Sequence, residues 1–384
     1  MTIVATIPLE SINRADVSPL PPRGSSLGRL NAICPYYTMF PLDFPGRILA
    51  DAHDNDWVLD PFCGRGTTLF AARLRGLGSV GIDINPVAAA LASAKLASAT
   101  ADDVTSLCEQ ILGSGPEAEQ PQGDFWELAY HPNTLADLAK LRRALMRMAD
   151  DSTTVLLRAI VLGILHGPLR KGAPTYLSNQ MPRTYASKPD SAVRFWHSRG
   201  MKPPEVDTLD AVRRRARFTL AEIPTQAPGC VRAADAAAEI PSLDRRFQWI
   251  ITSPPYYGMR TYSPDQWLRS WFLGSDPLAT YRVPGHLQHR GLERFAEGLA
   301  DVWRAAAARC VEGARLVVRF GALPSVGNDP MKLLMRSLEL ANAGWTVYSI
   351  VTAGEPSEWS RQATQFSTPG GYVEEIDCYA RLDA

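Results

Sequence analysis

The chain has 384 residues, of which 46% are apolar and 21% are charged, and its formal net charge is zero. This composition indicates a globular protein and excludes a disordered chain, while the zero net charge excludes a global attraction to nucleic acid. The sequence contains neither an apolar run of membrane-spanning length nor a signal peptide, so we expect a cytoplasmic protein without a membrane partner. The six cysteines form no C-x-x-C pair, which argues against zinc and disulfides, and we expect no metal.

Residues 1–30 contain proline and serine with little periodicity and are expected to form an N-terminal tail. The first strong pattern is an apolar run, 57–59, that leads into Asp60 and the glycine-rich turn 61–66. From Thr67 onward, apolar residues recur at helical spacing. Glycines let a ligand approach the backbone, and the free N–H groups at a helix start bind carboxylates or phosphates. The pattern therefore indicates a cofactor loop, although it lacks the full dinucleotide fingerprint and the P-loop motif.

A second predicted strand, 79–84, carries Asp83, which lies 17 residues after Gly66. That offset is typical of the acid that accepts ribose hydroxyls in Rossmann-type folds. An ordinary βα turn followed by an ordinary strand-end acid would explain the same residues, and this first motif alone leaves that alternative open. An alanine-rich helix is predicted over 86–96.

The segment 98–226 interrupts the alternation of strands and helices with helical pieces such as 134–146 and 154–165. Between His166 and Phe218 it holds eleven Arg or Lys residues against four acids, with aromatic and amide side chains among them. Basic groups suit phosphate contacts, and Asn, Gln and Arg read base edges. We therefore interpret the segment as a target-recognition region, with a solvated helical face as the alternative. The candidate DNA-binding residues are Arg170, Lys171, Asn179, Gln180, Arg183, Lys188, Arg194 and Arg199, joined by Arg260 from a later loop.

The strongest signal further along is the predicted strand 247–252, which runs into Ser253-Pro254-Pro255-Tyr256. Proline cannot continue a central strand, so these residues should lie just past its carboxyl end, where open α/β sheets build their sites. Further strands are predicted at 315–320, 345–351 and 376–381, the last two as an antiparallel pair.

With both motifs in view, the chain resembles the amino-methyltransferases of DNA bases, in particular the cytosine-N4 group. The stretch 60–68 is similar to their S-adenosylmethionine loop, 81–86 to their ribose-binding strand, and 34–41 loosely to the segment that packs on the methionine end. Asp235 stands where the family places an acid beside the adenine. The resemblance implies that the cofactor S-adenosylmethionine contacts Tyr37, Asp60, Pro61, Phe62, Cys63, Gly64, Gly66, Thr67, Thr68, Asp83, Ile84 and Asp235.

The same resemblance makes 253–256 the catalytic tetrapeptide. The Ser253 hydroxyl and the Pro254 carbonyl would accept hydrogens from a target amine, and Pro255 would hold them rigidly in place. Tyr256 would stack on the flipped base. Serine at the first position favours cytosine N4, since related adenine-N6 and protein-glutamine enzymes more often have Asp or Asn there.

We therefore expect an α/β fold, with a Rossmann-like methyltransferase sheet that is mostly parallel, a reversed final strand and a largely helical insertion. The catalytic domain would span 31–97 and 227–384, with 98–226 as the insertion. The expected partner is double-stranded DNA, with a cognate restriction endonuclease as a further candidate. An adenine-N6 or RNA amino-methyltransferase remains an alternative, as does a non-catalytic nucleic-acid-binding protein with the same fold.

Overall fold

The structure is a computed structural model, and it describes residues 20–22, 24–36, 40–114, 118–167, 176–182, 188–258, 266–277, 287, 291–322, 329–353 and 375–383. Its strands are β1 (Trp57–Asp60), β2 (Gly78–Ile82), β3 (Gly229–Arg232), β4 (Phe247–Thr252), β5 (Cys310–Gly321), β6 (Trp345–Thr352) and β7 (Glu375–Leu382). These form one sheet in the order β3-β2-β1-β4-β5-β7-β6. The β5–β7 and β6–β7 pairs are antiparallel and the remaining pairs are parallel, so β7 is the reversed strand and the predicted fold class is confirmed.

The described helices before the insertion are α1 (Ser26–Asn31), α2 (Asp43–Ile48), α3 (Thr67–Leu74) and α4 (Pro86–Ala94). Those of the insertion are α5 (Ala101–Gly113), α6 (Asp124–Ala129), α7 (Pro132–Leu145), α8 (Ser152–Ile164), α9 (Pro189–His197) and α10 (Thr208–Thr219). Those that follow are α11 (Ala236–Glu239), α12 (Trp267–Phe272), α13 (Leu292–Ala307) and α14 (Pro330–Ala341), with short 3-10 helices at Leu49–Asp51 and Ile240–Ser242.

The two faces of the sheet bury alternate residues of the same strands, as the two-residue period of a strand requires. Leu59 and Ile250 point into a core that includes Trp303 from α13. Val58 and Ile251, their neighbours along the chain, point into a second core that includes Phe44 from α2. Burial on both faces is the normal environment of a parallel sheet. It leaves the carboxyl ends of the central strands as the accessible edge.

The insertion helices share one apolar core with α4, which includes the fully buried Leu157 and Trp196. Both ends of the insertion meet at Arg73 of α3. Its guanidinium donates to the backbone oxygen of Ala97 at 2.8 Å and to that of Pro224 at 2.7 Å. Five donors in one planar group can satisfy several carbonyls at once, so Arg73 ties both ends of the insertion to α3.

The segment predicted as a tail, 1–30, ends inside a helix. Helix α1 begins at Ser26, whose preceding residue Ser25 accepts a hydrogen bond from the Gly28 N–H at 3.1 Å. Leu30 of this helix is completely buried. The last residues of the segment are therefore part of the core, while residues 1–19 lie outside the described residues.

None of the helices that the structure describes has the length and apolarity of a membrane span. Within the same residues, no group of three or more His, Cys, Asp or Glu side chains is arranged to hold a metal ion.

Candidate active site

Asp60 ends β1 and joins the two predicted loops. Its side chain is 1% exposed, and its Oδ1 accepts hydrogen bonds from the Thr252 hydroxyl at 2.6 Å and from the Phe62 N–H at 3.2 Å. Burial raises the pKa of Asp60 to about 7, and the hydrogen bond from Thr252 partly opposes that rise. Because Thr252 directly precedes Ser253, this hydrogen bond links the glycine-rich loop after β1 to the loop after β4 that carries the predicted catalytic residues.

The glycines of the loop have different environments. A Cβ on Gly64, where φ is +50°, would meet no atom within 4 Å, whereas a Cβ on Gly66, where φ is +79°, would lie 2.8 Å from the Cα of Ala92. Only glycine adopts such φ values without strain. Gly64 therefore leaves open space at the loop, while Gly66 allows the start of α3 to pack closely against α4. The preceding Pro61 is buried and Phe62 is half-buried.

Cys63 fills space beneath this loop. Its N–H donates to the backbone oxygen of Ile82 at 2.9 Å, which ties the loop to β2. Burial, followed by the nearby Asp83 and Asp60 carboxylates, raises the pKa of the Cys63 thiol well above its usual value. A protonated, buried thiol is a poor nucleophile.

Two threonines open helix α3. Thr68 is fully buried, and its hydroxyl donates to the backbone oxygen of Ile251 on β4 at 3.3 Å. The buried Thr67 hydroxyl has no hydrogen-bond partner among the residues described. An unsatisfied buried hydroxyl is costly, which makes Thr67 a candidate to bind a ligand at the loop.

Asp83, just beyond β2, holds the glycine-rich loop in place. Its Oδ2 accepts from the Gly64 N–H at 2.9 Å, and its Oδ1 accepts from the Asn85 N–H at 2.8 Å. Burial raises the pKa of Asp83 to about 6. Each carboxylate oxygen keeps a further lone pair, so the ribose role predicted for Asp83 is compatible with this geometry. Ile84 follows and is half-buried.

Sequence reasoning missed two polar neighbours of Asp83. The Asn85 side-chain N–H group donates to the Tyr36 hydroxyl at 3.2 Å, and the Asn85 side-chain oxygen accepts from the Val87 N–H at 3.0 Å as the cap of α4. Burial, followed by the Asp83 charge, raises the pKa of Tyr36. Asn before Pro86 is a recognisable helix-cap signal, but no local pattern indicates which of two adjacent tyrosines turns inward. The predicted Tyr37 lies outside the described residues.

Asp235 lies at the same edge of the sheet as Asp83. The adjacent Ala234 N–H donates to the backbone oxygen of Asp83 at 3.2 Å. The Asp235 side chain caps α11 by accepting from the Ala238 N–H at 3.1 Å, and it is exposed. The structure therefore brings Asp60, Asp83 and Asp235 to one edge.

The predicted catalytic tetrapeptide, 253–256, follows β4 at this edge. Ser253 and Pro255 are half-buried, whereas Pro254 and Tyr256 are buried. The Tyr256 phenol donates a hydrogen bond to Glu375 Oε1 at 2.6 Å. The Tyr256 ring is 6% exposed and packs edge-to-face against Phe320 with 5.9 Å between ring centroids. Stacking on a base, as predicted, needs an exposed ring face, and the structure instead buries Tyr256 with its hydroxyl satisfied.

A buried ion pair joins β5 and β7. Arg319 binds both oxygens of Asp377, each at 2.7 Å, and its guanidinium lies 4.0 Å from the centre of the Phe44 ring. Burial lowers the pKa of Arg319, but the hydrogen bonds to Asp377, together with the charges of Asp377 and Glu375, outweigh burial and raise the pKa overall. Two-pronged binding fixes the orientation of both charged groups.

The candidate DNA-binding residues divide into three sets. Asn179 was predicted to contact DNA, but its side chain is 0% exposed. Its amide donates to the backbone oxygen of Leu128 at 3.0 Å, and its Oδ1 accepts from the Gln180 N–H at 2.8 Å. Gln180 is half-buried and donates to the backbone oxygen of Met181 at 2.9 Å. Both amide groups donate hydrogen bonds within the protein. The exposed candidates are Lys188, Arg194 and Arg199, around α9. The remaining candidates, which lie outside the described residues, are Arg170, Lys171, Arg183 and Arg260.

Comparison with known proteins gives one family-level similarity. The family model described as DNA methylase matches residues 22–94, which contain α1 to α4 together with Asp60 and Asp83. No curated protein matches the chain.

Solved structures with a similar course of the chain are methyltransferases of several kinds. The rRNA methyltransferase AviRa from Streptomyces viridochromogenes is 15% identical over 94% of this chain and 92% of its own, with a TM-score of 0.35. TrmN from Thermus thermophilus is 12% identical over 89% of this chain and 48% of its own, with a TM-score of 0.32. The geranyl diphosphate C-methyltransferase from Streptomyces coelicolor A3(2) is 9% identical over 89% of this chain and 79% of its own, with a TM-score of 0.33. The fold assignment rests on the strand order of the chain itself.

Proposed function

We propose that this protein is a DNA methyltransferase that transfers a methyl group from S-adenosylmethionine to the exocyclic N4 amine of cytosine. The observation that carries the proposal is the hydrogen bond between Asp60 and Thr252, which couples a glycine-rich cofactor loop to Ser253 and the two prolines after it. An enzyme that transfers a methyl group from a cofactor to a bound amine needs its cofactor loop and its amine-binding loop in contact. The match of residues 22–94 to the DNA methylase family supports the same activity.

The residues at the edge of the sheet fit S-adenosylmethionine. The open space above Gly64 gives room for a ligand against the backbone, and the unpartnered Thr67 hydroxyl lies in the same loop. Asp83 would hold the ribose hydroxyls, and Asp235 would lie beside the adenine. When bound, the cofactor supplies an electrophilic methyl group on a positively charged sulfur.

The chain's own part in the chemistry is to prepare the amine. The lone pair of the cytosine N4 nitrogen is delocalised into the ring, so the nitrogen is a weak nucleophile. Acceptors at Ser253 and the Pro254 carbonyl favour a pyramidal nitrogen by binding its hydrogens. They are most effective when they are already in place before the reaction, and two successive prolines limit the motion of the backbone there.

Nucleoside analysis tests the proposal. We expect purified protein incubated with methyl-labelled S-adenosylmethionine and double-stranded DNA to yield N4-methylcytosine, detected by mass spectrometry after digestion. The same incubation with RNA serves as the comparison. Label in N6-methyladenine or only in RNA would contradict the cytosine-N4 DNA assignment and support an adenine-N6 or RNA enzyme. A protein that binds nucleic acid but not the cofactor would be non-catalytic.

A further inference from the structure

Two buried polar side chains lack hydrogen-bond partners where the insertion meets the catalytic domain. His166 lies just beyond the end of α8 and Gln266 directly precedes α12, and each is 1% exposed. Among the residues that the structure describes, no partner exists for either ring nitrogen of His166 or for the side-chain nitrogen of Gln266. Buried polar groups are nearly always hydrogen-bonded, so these nitrogens require an explanation.

The buried Arg269 of α12 brings the two side chains to the same place. Its Nε donates to the backbone oxygen of Leu162, on the last turn of α8, at 3.1 Å, and its Nη1 donates to Gln266 Oε1 at 2.8 Å. His166 follows Leu162 by about one helical turn. The Gln266 amide therefore lies against the same end of α8 that leads into His166.

This junction is joined to the glycine-rich loop by one short segment of the chain. The Cys34 thiol donates to the same Leu162 oxygen at 3.6 Å, and the Cys34 backbone oxygen accepts from Arg65 Nη1, in the loop, at 3.3 Å. Further along the segment, the Tyr36 hydroxyl accepts from the Asn85 side chain at 3.2 Å. The end of α8 is therefore one segment away from the loops proposed to hold the cofactor.

The hydrogens that this site offers can be counted. Arginine has only donors, so Gln266 must turn its oxygen toward Arg269 and its amide hydrogens away from it. Burial, followed by the Arg269 charge, lowers the pKa of His166 well below its usual value, so the imidazole is neutral and carries one hydrogen and one lone pair. The unused hydrogens of the two side chains therefore outnumber the unused lone pairs.

The backbone oxygens at the end of α8 are already engaged. The Ile164 oxygen accepts from the Leu177 N–H at 2.9 Å. The Leu165 oxygen accepts from the Tyr130 hydroxyl at 2.9 Å. A water molecule has as many hydrogens as lone pairs, so it does not match an excess of donors. A carbonyl or carboxylate oxygen, which has lone pairs and no hydrogen, does match it, and a nearby guanidinium favours such an oxygen further.

We propose that His166 and Gln266 form a binding site for a planar oxygen acceptor, a carbonyl or a carboxylate, at the junction of the insertion and the catalytic domain. The identity of the ligand rests on the proposed function, which involves two molecules with such an oxygen. They are the target cytosine, through its ring carbonyl, and S-adenosylmethionine, through its carboxylate. The two sources offer the same chemistry, so binding measurements decide between them.

Calorimetry with the cofactor tests the carboxylate. Gln266→Glu keeps an oxygen toward Arg269 but replaces the amide hydrogens with a negatively charged oxygen, and His166→Leu removes the ring nitrogens. If the carboxylate binds here, both variants should bind S-adenosylmethionine at least about tenfold more weakly than wild type. Their affinity for methylthioadenosine, which lacks the carboxylate, should stay unchanged.

DNA binding tests the carbonyl. If the cytosine carbonyl binds here, cofactor affinity should stay unchanged. Both variants should then bind a duplex with cytosine at the position that wild type methylates about tenfold more weakly than wild type does. A duplex with an abasic residue at that position should bind the wild type and the variants alike.

Thr154→Val is the matched control, because it removes a buried hydroxyl at the other end of α8 and should change none of these affinities. Urea denaturation shows whether each variant is folded. Wild-type affinities for both the cofactor and the duplex in Gln266→Glu and in His166→Leu would overturn the inference and assign the site to buried water only. Methyl transfer by wild type to an atom other than cytosine N4 would instead contradict the proposed function, and the cofactor comparison would then decide the site alone.

Discussion

At the scale of single residues, two carboxylates, the buried Asp60 and the half-buried Asp83, organise the site in different ways. Asp60 makes its hydrogen bonds within the protein, because its Oδ1 accepts from the Thr252 hydroxyl and the Phe62 N–H. Asp83 accepts two backbone N–H groups and still has lone pairs toward the open space at Gly64. Burial raises the pKa of both groups, to about 7 for Asp60 and about 6 for Asp83. Asp83 is therefore the acid through which pH should affect cofactor binding.

The first prediction concerns that pH dependence. A ribose hydroxyl donates to the carboxylate form of Asp83, so lowering the pH through about 6 should weaken cofactor affinity, by at most about tenfold per pH unit for one proton. Asp83→Asn should bind at least about tenfold more weakly at neutral pH, because a charge-assisted hydrogen bond is lost. Its affinity should lack the additional fall in acid. Titration calorimetry of both proteins over this pH range checks this. Parallel curves would remove Asp83 from the cofactor site.

The second prediction concerns Ser253. Ser253→Ala should bind cofactor and DNA as wild type does but transfer methyl groups about a hundredfold more slowly, by analogy with the loss of one preorganised group elsewhere. The acceptor matters most as the amine becomes pyramidal, so rate rather than affinity should change. Rapid-quench single-turnover assays with saturating substrates provide the measurement. A normal rate would remove the main support for an amine target.

At the scale of elements, the glycine-rich loop shows why two glycines two positions apart are not equivalent. Gly66 forms the N-cap of α3 with φ +79° and lies against α4. Gly64 faces open space with φ +50°. The sequence shows only Gly64-Arg65-Gly66, and it predicts that both glycines contact the cofactor. Packing separates a structural glycine from one that leaves room for a ligand.

This difference gives a matched pair of variants. Gly66→Ala should lower the free energy of unfolding by more than about 2 kcal/mol, because strain in φ adds to a clash with the backbone of α4. Gly64→Ala should cost only about 1–2 kcal/mol, from φ alone, but should weaken cofactor binding because its methyl group enters the open space. Urea denaturation and calorimetry measure the two effects. Greater damage to stability from Gly64→Ala would contradict the assignment of Gly66 to packing.

At the scale of the whole molecule, a net charge of zero places any attraction to nucleic acid in local surfaces. Helix α9 buries Ala192 and Trp196 and exposes Arg194 on its other side. Lys188 and Arg199, just outside the helix, are exposed too, and Arg199 lies 4.1 Å from the centre of the Phe195 ring. The insertion therefore keeps a basic surface even though Asn179 is buried.

Neutralising this surface should change the salt dependence of DNA binding. Replacing Lys188, Arg194 and Arg199 with alanine should reduce the slope of log K against log salt by up to about 2.7, since each lost phosphate contact removes about 0.9. Cofactor affinity should stay the same. A control variant with alanine at three arginines that precede β4 and β5, Arg245, Arg246 and Arg309, should leave the slope unchanged. If the two triples behave alike, α9 is only a solvated face.

The sequence by itself determined the order and type of the elements that carry Asp60, Asp83 and Ser253. Apolar runs at 57–59 and 247–252, the proline stop after Thr252 and the helical spacing after Thr67 are local signals, because steric and hydrogen-bonding preferences act between near neighbours. These signals also placed Asp60, Asp83 and Ser253 at strand ends, where the structure has them.

Only the tertiary structure decided which side chains meet. Thr252 reaches Asp60 because β4 lies beside β1, and Glu375 reaches Tyr256 because β7 runs in reverse. The inward turn of Tyr36 and the burial of Asn179 depend in the same way on segments far apart in the chain. Hydrogen-bond partners of this kind are chosen by strand order and packing, which no local pattern of residues records.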